Sequence, residues 1–296
     1  MADAALIAVD WGTTRLRAWL LDRAGAVLAH IAADKGIQGI EPGRFAPAFR
    51  EACGAWLAAK PDLPVLMAGM IGSRNGWVEA PYVAAPCGLP ELVRGIRKLQ
   101  DSHIHIVPGV DCRDADGAYD VMRGEETQAI GTGVEDGLVC QPGTHSKWVE
   151  VRGGRITRFA SFITGELYAA LSASFVARLA SEPEAHGHVA DGLSAASLAG
   201  GLPRALFQAR TRVLGGVMPG AGVKPFLSGL LIGSEIAGAR ALFGAPAAVH
   251  LVAAEPQLTP YREGFATHGM TVHVIDPQAA FLSGLHRIAD AGGLMG

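Results

Sequence analysis

Asp10-Trp11-Gly12-Thr13-Thr14 sets polar residues into an otherwise apolar, alternating stretch near the start of the chain. A carboxylate at a strand end followed by Gly-Thr-Thr has a definite chemical use. The glycine lets backbone N–H groups approach an anion, the hydroxyls donate further hydrogen bonds, and the acid can hold hydrated Mg²⁺. Gly143-Thr144, within Pro142-Gly143-Thr144-His145-Ser146-Lys147, could grip the same polyphosphate a second time. Either loop alone reads more simply as a β-turn or bulge, but two in equivalent places of a repeated unit favour phosphate. The other nucleotide signatures are absent: there is no GxxxxGKS/T loop, no GxGxxG after a strand, and no kinase-type HRD or DFG motif. A phosphate site in this chain must therefore be built from paired hairpins.

Glu125 and Glu126 open a helix just before the second of those loops. Acids in a first turn suit the helix dipole, which is reason enough for them to be there. A carboxylate at this place could also accept the proton of an attacking hydroxyl. Glu126 is the first choice for that base and Glu125 the second. Ser73-Arg74-Asn75 lies in the glycine-rich segment 69–77. An arginine there could bind a carboxylate bidentately, as a small acid substrate requires, although a solvated loop arginine is the plainer reading. Arg123 is a similar candidate. Lys147, one of only five lysines, could touch phosphate or substrate, or simply stand exposed on a strand. His103-x-His105 and His186-x-His188 have ligand-like spacing but no third ligand nearby, and neither is expected to bind metal.

The elements that must position these residues follow from hydrophobic periodicity. An apolar strand at 6–9, an alternating strand from 15 to 21, a turn at Asp22-Arg23-Ala24-Gly25 and a strand at 27–31 form the first hairpin. The same order recurs from 138 to 159. Gly12 corresponds to Gly143 and Gly25 to Gly154, a separation of about 130 residues that indicates a duplicated domain and not a solenoid. Between the copies the pattern predicts a helix over 45–59, a strand over 65–68, a helix over 120–130 and a connector over 132–137. Beyond them it predicts helices over 165–180 and 193–213, a strand over 225–227 and a glycine-rich helix over 229–235. A strand over 249–253, a helix over 260–267, a strand over 270–275 and a helix over 278–291 complete the chain. Alternating strands and helices argue for an α/β class with two sheets, divided as 1–133 and 134–296.

Composition bounds the function. In 296 residues, 49% are hydrophobic and 18% charged, enough apolar material for substantial cores and not a disordered composition. A net charge of −3 leaves no electrostatic footprint for nucleic acid. The four cysteines are scattered without any CxxC, as suits a reducing compartment. The opening residues lack the basic start of a signal peptide, and no uninterrupted apolar run approaches the ~18 residues of a membrane helix. A cytoplasmic protein without membrane partners is expected. The apolar stretch 227–236 could suit a homodimer contact as well as a core.

The motifs also carry a resemblance. Asp10-Trp11-Gly12-Thr13-Thr14-Arg15 resembles the first phosphate motif of the superfamily of actin, sugar kinases and heat-shock chaperones, and Pro142-Gly143-Thr144-His145-Ser146-Lys147 resembles its second. Val252-Ala253-Ala254-Glu255-Pro256-Gln257-Leu258-Thr259-Pro260-Tyr261 falls where that superfamily has its adenosine segment, with Ala253-Ala254 where paired glycines are common. More narrowly, four segments resemble the 2-dehydro-3-deoxygalactonokinase family, in order and over most of the chain. They are Gly69-Met70-Ile71-Gly72-Ser73-Arg74-Asn75-Gly76-Trp77, Met122-Arg123-Gly124-Glu125-Glu126-Thr127-Gln128, the second phosphate motif through Trp148, and Thr164-Gly165-Glu166-Leu167.

The resemblance implies two duplicated RNase H-like (actin-like ATPase) domains with an ATP and substrate cleft between them. It implies a kinase that uses ATP and Mg²⁺ to phosphorylate the terminal (6-) hydroxyl of a small sugar acid, 2-dehydro-3-deoxy-D-galactonate, in galactonate catabolism. Asp10 would organise Mg²⁺, and Gly12, Thr13, Thr14, Arg15, Gly143 and Thr144 would hold phosphates. Gly229, Gly233, Ser234 and Ala254 would shape the adenosine pocket. Ser73, Arg74, Asn75, Trp77, Arg123, His145 and Lys147 would meet the sugar acid. Glu126 aligns with an Asp of the superfamily, and the change to Glu leaves the choice of base between it and Glu125 open. A phosphatase or polyphosphatase of the same fold is the main rival. A chaperone-like ATP sensor has too little chain for its extra domain, and a ribokinase-type enzyme lacks its Gly-Ala-Gly-Asp loop, since Val223 follows Gly220-Ala221-Gly222.

Overall fold

A computed structural model describes residues 3–114, 116–174, 178–179 and 187–295. The chain opens with β1 (Ala4–Trp11), β2 (Leu16–Asp22) and β3 (Val27–Ala33), then α1 (Phe45–Ala59), β4 (Val65–Ala68) and a 3-10 turn at Met70–Gly72. β5 (Tyr82–Ala84), α2 (Leu89–Gly95), β6 (Arg97–Lys98), β7 (Ile104–Ile106), β8 (Gly109–Arg113), β9 (Tyr119–Met122) and α3 (Glu125–Gly131) follow. The opening pattern returns as β10 (Gly137–Gln141), β11 (Ser146–Arg152) and β12 (Arg155–Phe162). Next come α4 (Thr164–Ser172), α5 (Val189–Ala195), α6 (Gly201–Leu214) and α7 (Val223–Phe243). The chain ends through β13 (Ala248–Val252), α8 (Leu258–Ala266), β14 (Thr271–Ile275) and α9 (Pro277–Ala291).

Two compact units result. The first holds Met1–Asp136, Val151–Phe159 and Pro277–Gly296, and the second holds Gly137–Glu150 and Ala160–Asp276. The first unit's main sheet has the order β3-β2-β1-β4-β7-β6, and β1, β4 and β7 are parallel neighbours. The other large sheet has the order β12-β11-β10-β13-β14, with β10, β13 and β14 parallel. Matching strand orders bear out the duplication read from the two hairpins. A small sheet, β5-β8-β9, belongs to the first unit and has no counterpart among the described residues of the second.

Burial explains the elements. β1 is an almost continuous apolar run because it is an interior strand paired on both edges, whereas edge strand β3 alternates towards solvent. In α1, Phe45, Phe49, Cys53 and Trp56 recur at helical spacing and form its buried stripe. They join Ile7, Val9, Trp11, Met67 and Ile106 in the first core.

Several expectations are corrected. The strand expected at 225–227 is the start of α7, where Pro225 sits in the first turn and breaks no hydrogen bond. By length and mean hydropathy the span Gly220–Phe243 is apolar enough to cross a membrane, although Lys224, Glu235 and Arg240 interrupt it. Here α7 packs against α4, α5, α6 and α8 as the second unit's core helix. Leu227, Leu230, Leu231, Ile232 and Ile236 are buried within that unit, so 227–236 is core and not a surface for a second copy. The helix expected over 120–130 is strand β9, a turn at Gly124 and the short α3. The helix expected over 193–213 is two helices, separated at Gly200. The helix expected over 165–180 ends at Ser172, and residues 175–177 and 180 of its remainder, like His186, lie outside the described residues.

The division at 133/134 also differs from the observed units. Val151–Phe159 clusters with the first unit because Ile156 bridges Cys87 and Arg155 pairs with Glu91 at 3.0 Å. Pro277–Gly296 clusters there because α9 packs on α3, α2, β4 and β1.

Candidate functional site

In the first unit, β1 and β4 run parallel with Asp10 opposite Ala68, so their carboxyl ends open at one place, as ligand-binding ends of such sheets do. β4 runs out into Gly69 at φ +94°, and β9 into Gly124 at φ +108°. Both conformations favour glycine, and so does the crowding. A Cβ on Gly69 would lie 3.1 Å from the Trp11 carbonyl and 3.4 Å from Asp10 Oδ1, and one on Gly124 would lie 3.2 Å from Gly69 Cα. Three strand ends are thereby pressed together around a cavity of about 220 Å³ lined by Asp10, Gly12, Thr13, Gly69, Met70, Arg123, Gly124, Glu125, Gln128 and Phe281.

Charges in this cavity are strongly conditioned by burial. Burial raises the Asp10 carboxyl above the ordinary carboxylate range, and the Arg17 guanidinium, which donates to Asp10 Oδ2, opposes that rise. Arg17 is the direct cross-strand neighbour of Asp10. It was not singled out from the sequence, yet hairpin register alone pairs the two positions. Glu126 is fully buried and does not line the cavity. Its Oε2 accepts the Gly124 N–H at 2.6 Å and its Oε1 accepts the Thr127 hydroxyl at 2.9 Å. Burial pushes its carboxyl up to about 7, the charge of Glu125 acts in the same direction, and those hydrogen bonds oppose it. Glu125 does line the cavity, and its Oε2 accepts the Arg123 backbone N–H at 3.0 Å. The two candidates for the base thus differ in placement: Glu126, the first choice, lies beneath the site and Glu125 faces it.

Arg123 is only 9% exposed. Its Nη2 donates to the Ala80 carbonyl at 2.9 Å and its guanidinium lies 4.4 Å from the centre of the Tyr82 ring. Nε and Nη1 have no hydrogen-bond partner. Ser73 Oγ is buried without a partner as well, but Ser73, Arg74, Asn75 and Trp77 do not line this cavity. Arg74 and Asn75 are exposed, with Arg74 Nε 3.8 Å from Glu79. Trp77 packs at 6.4 Å from Trp11 and 6.0 Å from Phe49, in and around the first core. Thr14 and Arg15 are exposed too, with Arg15 paired to Asp34 at 3.4 Å, so only Gly12 and Thr13 of their loop reach the cavity.

The second unit has its own pocket of about 290 Å³, close to the lower end (~300 Å³) of small-molecule sites. Gly143, Thr164 and Gly165 form one wall, Lys224, Pro225, Ser228, Leu231 and Ile232 of α7 another, and Pro256, Gln257, Pro260 and Tyr261 a third. The two Gly-Thr loops match in detail. A Cβ on Gly12 would meet only the Arg15 carbonyl at 3.8 Å, and one on Gly143 only the His145 carbonyl at 3.7 Å, leaving open space over each. Thr144 is exposed, as is His145, which pairs with Glu166 at 2.6 Å. Lys147 is buried against the Ser161 hydroxyl and does not line the pocket.

Gly229 and Gly233, expected at the adenosine pocket, face α5 instead. Side chains there would strike α5, at 2.0 Å from the Val189 carbonyl and 2.8 Å from Ala196 Cβ, so these glycines let two helices approach. Ser234 Oγ donates to the Leu230 carbonyl at 2.8 Å. Ala254 is exposed in the turn before α8, and its segment reaches the pocket through Pro256, Gln257, Pro260 and Tyr261 instead.

Two residues of this unit were missed. Lys224 stands at the start of α7 beside the pocket, and its rarity in a lysine-poor chain was the available signal. Glu235 is buried on the same helix. It accepts Trp148 Nε1 at 2.8 Å and the Tyr261 hydroxyl at 2.8 Å, and bonds also to Thr164 and Ser146. Burial raises its carboxyl, against those hydrogen bonds.

The donor set bears on metal and nucleotide. Among the described residues no group of three or more His, Cys, Asp or Glu is placed to hold an ion. A single strand-end carboxylate suits Mg²⁺ that keeps several waters and arrives on a polyphosphate. The largely apolar second pocket, with a few polar groups, suits a nucleoside.

Comparison with known proteins is consistent across sequence and structure. The family described as 2-keto-3-deoxy-galactonokinase matches residues 10–288. The 2-dehydro-3-deoxygalactonokinase of Escherichia coli (strain K12) is 34% identical over 299 residues, 97% of this chain and 98% of its own. A crystal structure described as a candidate 2-dehydro-3-deoxygalactonokinase protein from Sinorhizobium meliloti superimposes with a TM-score of 0.87 at 34% identity, over 97% of this chain and 98% of that one. At 11% identity, the activator of the 2-hydroxyisocaproyl-CoA dehydratase from Clostridium difficile, with bound ADPNP, shares the actin-like α/β fold with a TM-score of 0.52, over 97% and 95% of the two chains.

Proposed function

The chain belongs to the 2-keto-3-deoxy-galactonokinase family, and from that premise we propose that it transfers the γ-phosphoryl group of ATP to the 6-hydroxyl of 2-dehydro-3-deoxy-D-galactonate. The products are ADP and 2-dehydro-3-deoxy-6-phospho-D-galactonate. One observation carries the reading beyond family membership. A strand-end carboxylate, a Gly-Thr loop, a second carboxylate and a buried arginine share a single cavity in the first unit.

Placement supports a role for each residue. Gly12 and Thr13 hold phosphate oxygens through the loop backbone and hydroxyl, and Asp10, fixed by Arg17, would hold a hydrated cation that arrives with the nucleotide. Magnesium, when bound with the nucleotide, neutralises charge on the transferring phosphoryl group. Glu125, which lines the cavity, takes the proton as the acceptor oxygen bonds to phosphorus and the bond to the ADP oxygen breaks. In the second unit, Tyr261 and the α7 wall hold the nucleoside, with Gly143 and Lys224 at hand for its phosphates. Little covalent work falls to the protein in such a transfer, so positioning dominates. The acceptor is a small molecule, and a cytoplasmic setting is proposed with it.

The test is ADP release with Mg·ATP and a panel of 2-keto-3-deoxy sugar acids, with a control lacking sugar. Release stimulated by the galactonate compound is expected. Equal rates with the gluconate epimer would keep the reaction and discard its specificity. Release indifferent to every sugar acid would replace the kinase by a phosphohydrolase.

A further inference from the structure

We infer that Arg123 is the group that reads the acceptor's carboxylate, a reading that rests on the kinase assignment and names how its substrate class is selected. A guanidinium is always charged and carries five N–H donors. That of Arg123 is nine-tenths buried, yet its hydrogen-bond acceptor (the Ala80 carbonyl) and its stacking partner (the Tyr82 ring) are both neutral. Nε and Nη1 are left without partners. A desolvated cation with unmet donors is costly to fold around, and an anionic ligand removes both defects together. The guanidinium packs closely on Gly72, where a Cβ would lie 3.0 Å from Nη1, so a side chain at 72 would displace it.

The fold indicates which anion. Gly12 and Gly143 each line a pocket of their own unit, as the phosphate loops of a duplicated nucleotide-binding fold would. Arg123 follows β9 of the small sheet and lies over Tyr82 of β5, in a sheet that only the first unit has among the described residues. An element added to one copy serves what only that copy binds, which is the acceptor. A sugar acid carries its carboxylate and its terminal hydroxyl at opposite ends of one chain, so one cavity can offer Arg123 to the first and Glu125 to the second. Arg74, the other arginine weighed for this task, is exposed beside Glu79 and lies off the cavity.

The discriminating measurement compares kcat/KM for the sugar acid and for its analogue with the carboxylate reduced to a hydroxymethyl group. Wild type, Arg123→Met and Arg123→Lys are assayed, with KM for ATP recorded alongside. Arg123→Met should lower kcat/KM for the acid on the order of a hundredfold, the size expected when one partner of a buried charge pair is lost. It should leave the neutral analogue and KM for ATP within about twofold, and Arg123→Lys should recover part of the loss, as a charge without the planar fork does. Calorimetric binding of the acid to the nucleotide-free protein should weaken in parallel. Should Arg123→Met fail to fold, Arg123→Lys and the calorimetry still decide. Equal losses on acid and analogue, or none on either, overturn this assignment alone. A wild type that ignores every sugar acid overturns the kinase reading, and this one with it.

Discussion

Glu125 and Glu126 are adjacent in sequence and opposite in environment: one faces the cavity, the other is sealed beneath it and bonded to the turn that shapes it. The difference makes two separable predictions. Glu125→Gln should lower kcat by roughly 10²- to 10⁴-fold, the usual worth of a general base, with KM for ATP little changed. Steady-state kinetics decides, and near-normal turnover in that variant would remove Glu125 from the chemistry. Glu126 should show itself in stability instead. Its carboxyl is raised from an ordinary 4.5 to about 7 when folded. Between those values the folded protein keeps a proton that the unfolded chain has released, so stability falls as pH rises through that window and levels off above it. Glu126→Gln abolishes this component. Denaturation at pH 5 and pH 8 should therefore show the variant gaining on wild type at the higher pH, by up to about 3 kcal/mol. A difference between the two proteins that does not change with pH would mean that Glu126 ionises normally.

Four elements meet at Glu235: α7 carries it, Trp148 reaches it from β11, Tyr261 from α8 and Thr164 from the start of α4. Tyr261 and Thr164 line the second unit's pocket, proposed above for the nucleoside, so the buried Glu235 side chain sets the spacing of its walls. Glu235→Leu should raise KM for ATP by about tenfold or more, because it leaves several buried donors unsatisfied at about 1–3 kcal/mol each. KM for the sugar acid should stay put and Glu235→Gln should be milder; a uniform loss of activity in both would argue for a general folding defect. This hub is invisible in sequence because its members are 87 and 26 residues away from Glu235 and acquire meaning only when packed. The hairpins, α1 and β4 are legible, since each carries a clean period or a continuous apolar run between turn residues. α7 is legible only in part: its stretch over 229–235 reads as helix, but Pro225 in the first turn makes 225–227 look like a strand. β5, β8 and β9 span three to five residues each and show no period long enough to read. In the site, residue types that require close backbone approach (Asp10, Gly12, Thr13) are legible. Whether Arg74 or Arg123 turns inward depends on tertiary contacts, and sequence cannot rank them.

At the scale of the whole molecule, the first unit is discontinuous. The chain leaves it at Asp136, returns for Val151–Phe159 and completes it with Pro277–Gly296. The closing helix α9 is no ornament on that unit. It buries Phe281, Leu285 and Ile288, sets Phe281 5.9 Å from Trp19, and accepts Gln128 Nε2 at 3.3 Å on its first carbonyl. Its contact with α3 is so close that a Cβ on Gly284 would lie 1.9 Å from the Thr127 carbonyl, and Phe281 is itself a wall of the cavity proposed for the acceptor. Each large apolar side chain is worth about 1.5–3 kcal/mol when buried, so losing the helix removes an amount comparable to the ~5–15 kcal/mol that holds a typical protein folded. A chain ended at Asp276 should therefore lose the fold of residues 4–131, although it still contains all of them. Tryptophan emission reports this well, because Trp11, Trp19, Trp56 and Trp77, four of the five tryptophans, lie in the first unit. The truncated chain should emit at the wavelength of solvated indole and show no response to sugar acid. Native emission with retained sugar-acid binding would mean that the acceptor cavity is complete without α9, and that its pairing with α3 is incidental to the site.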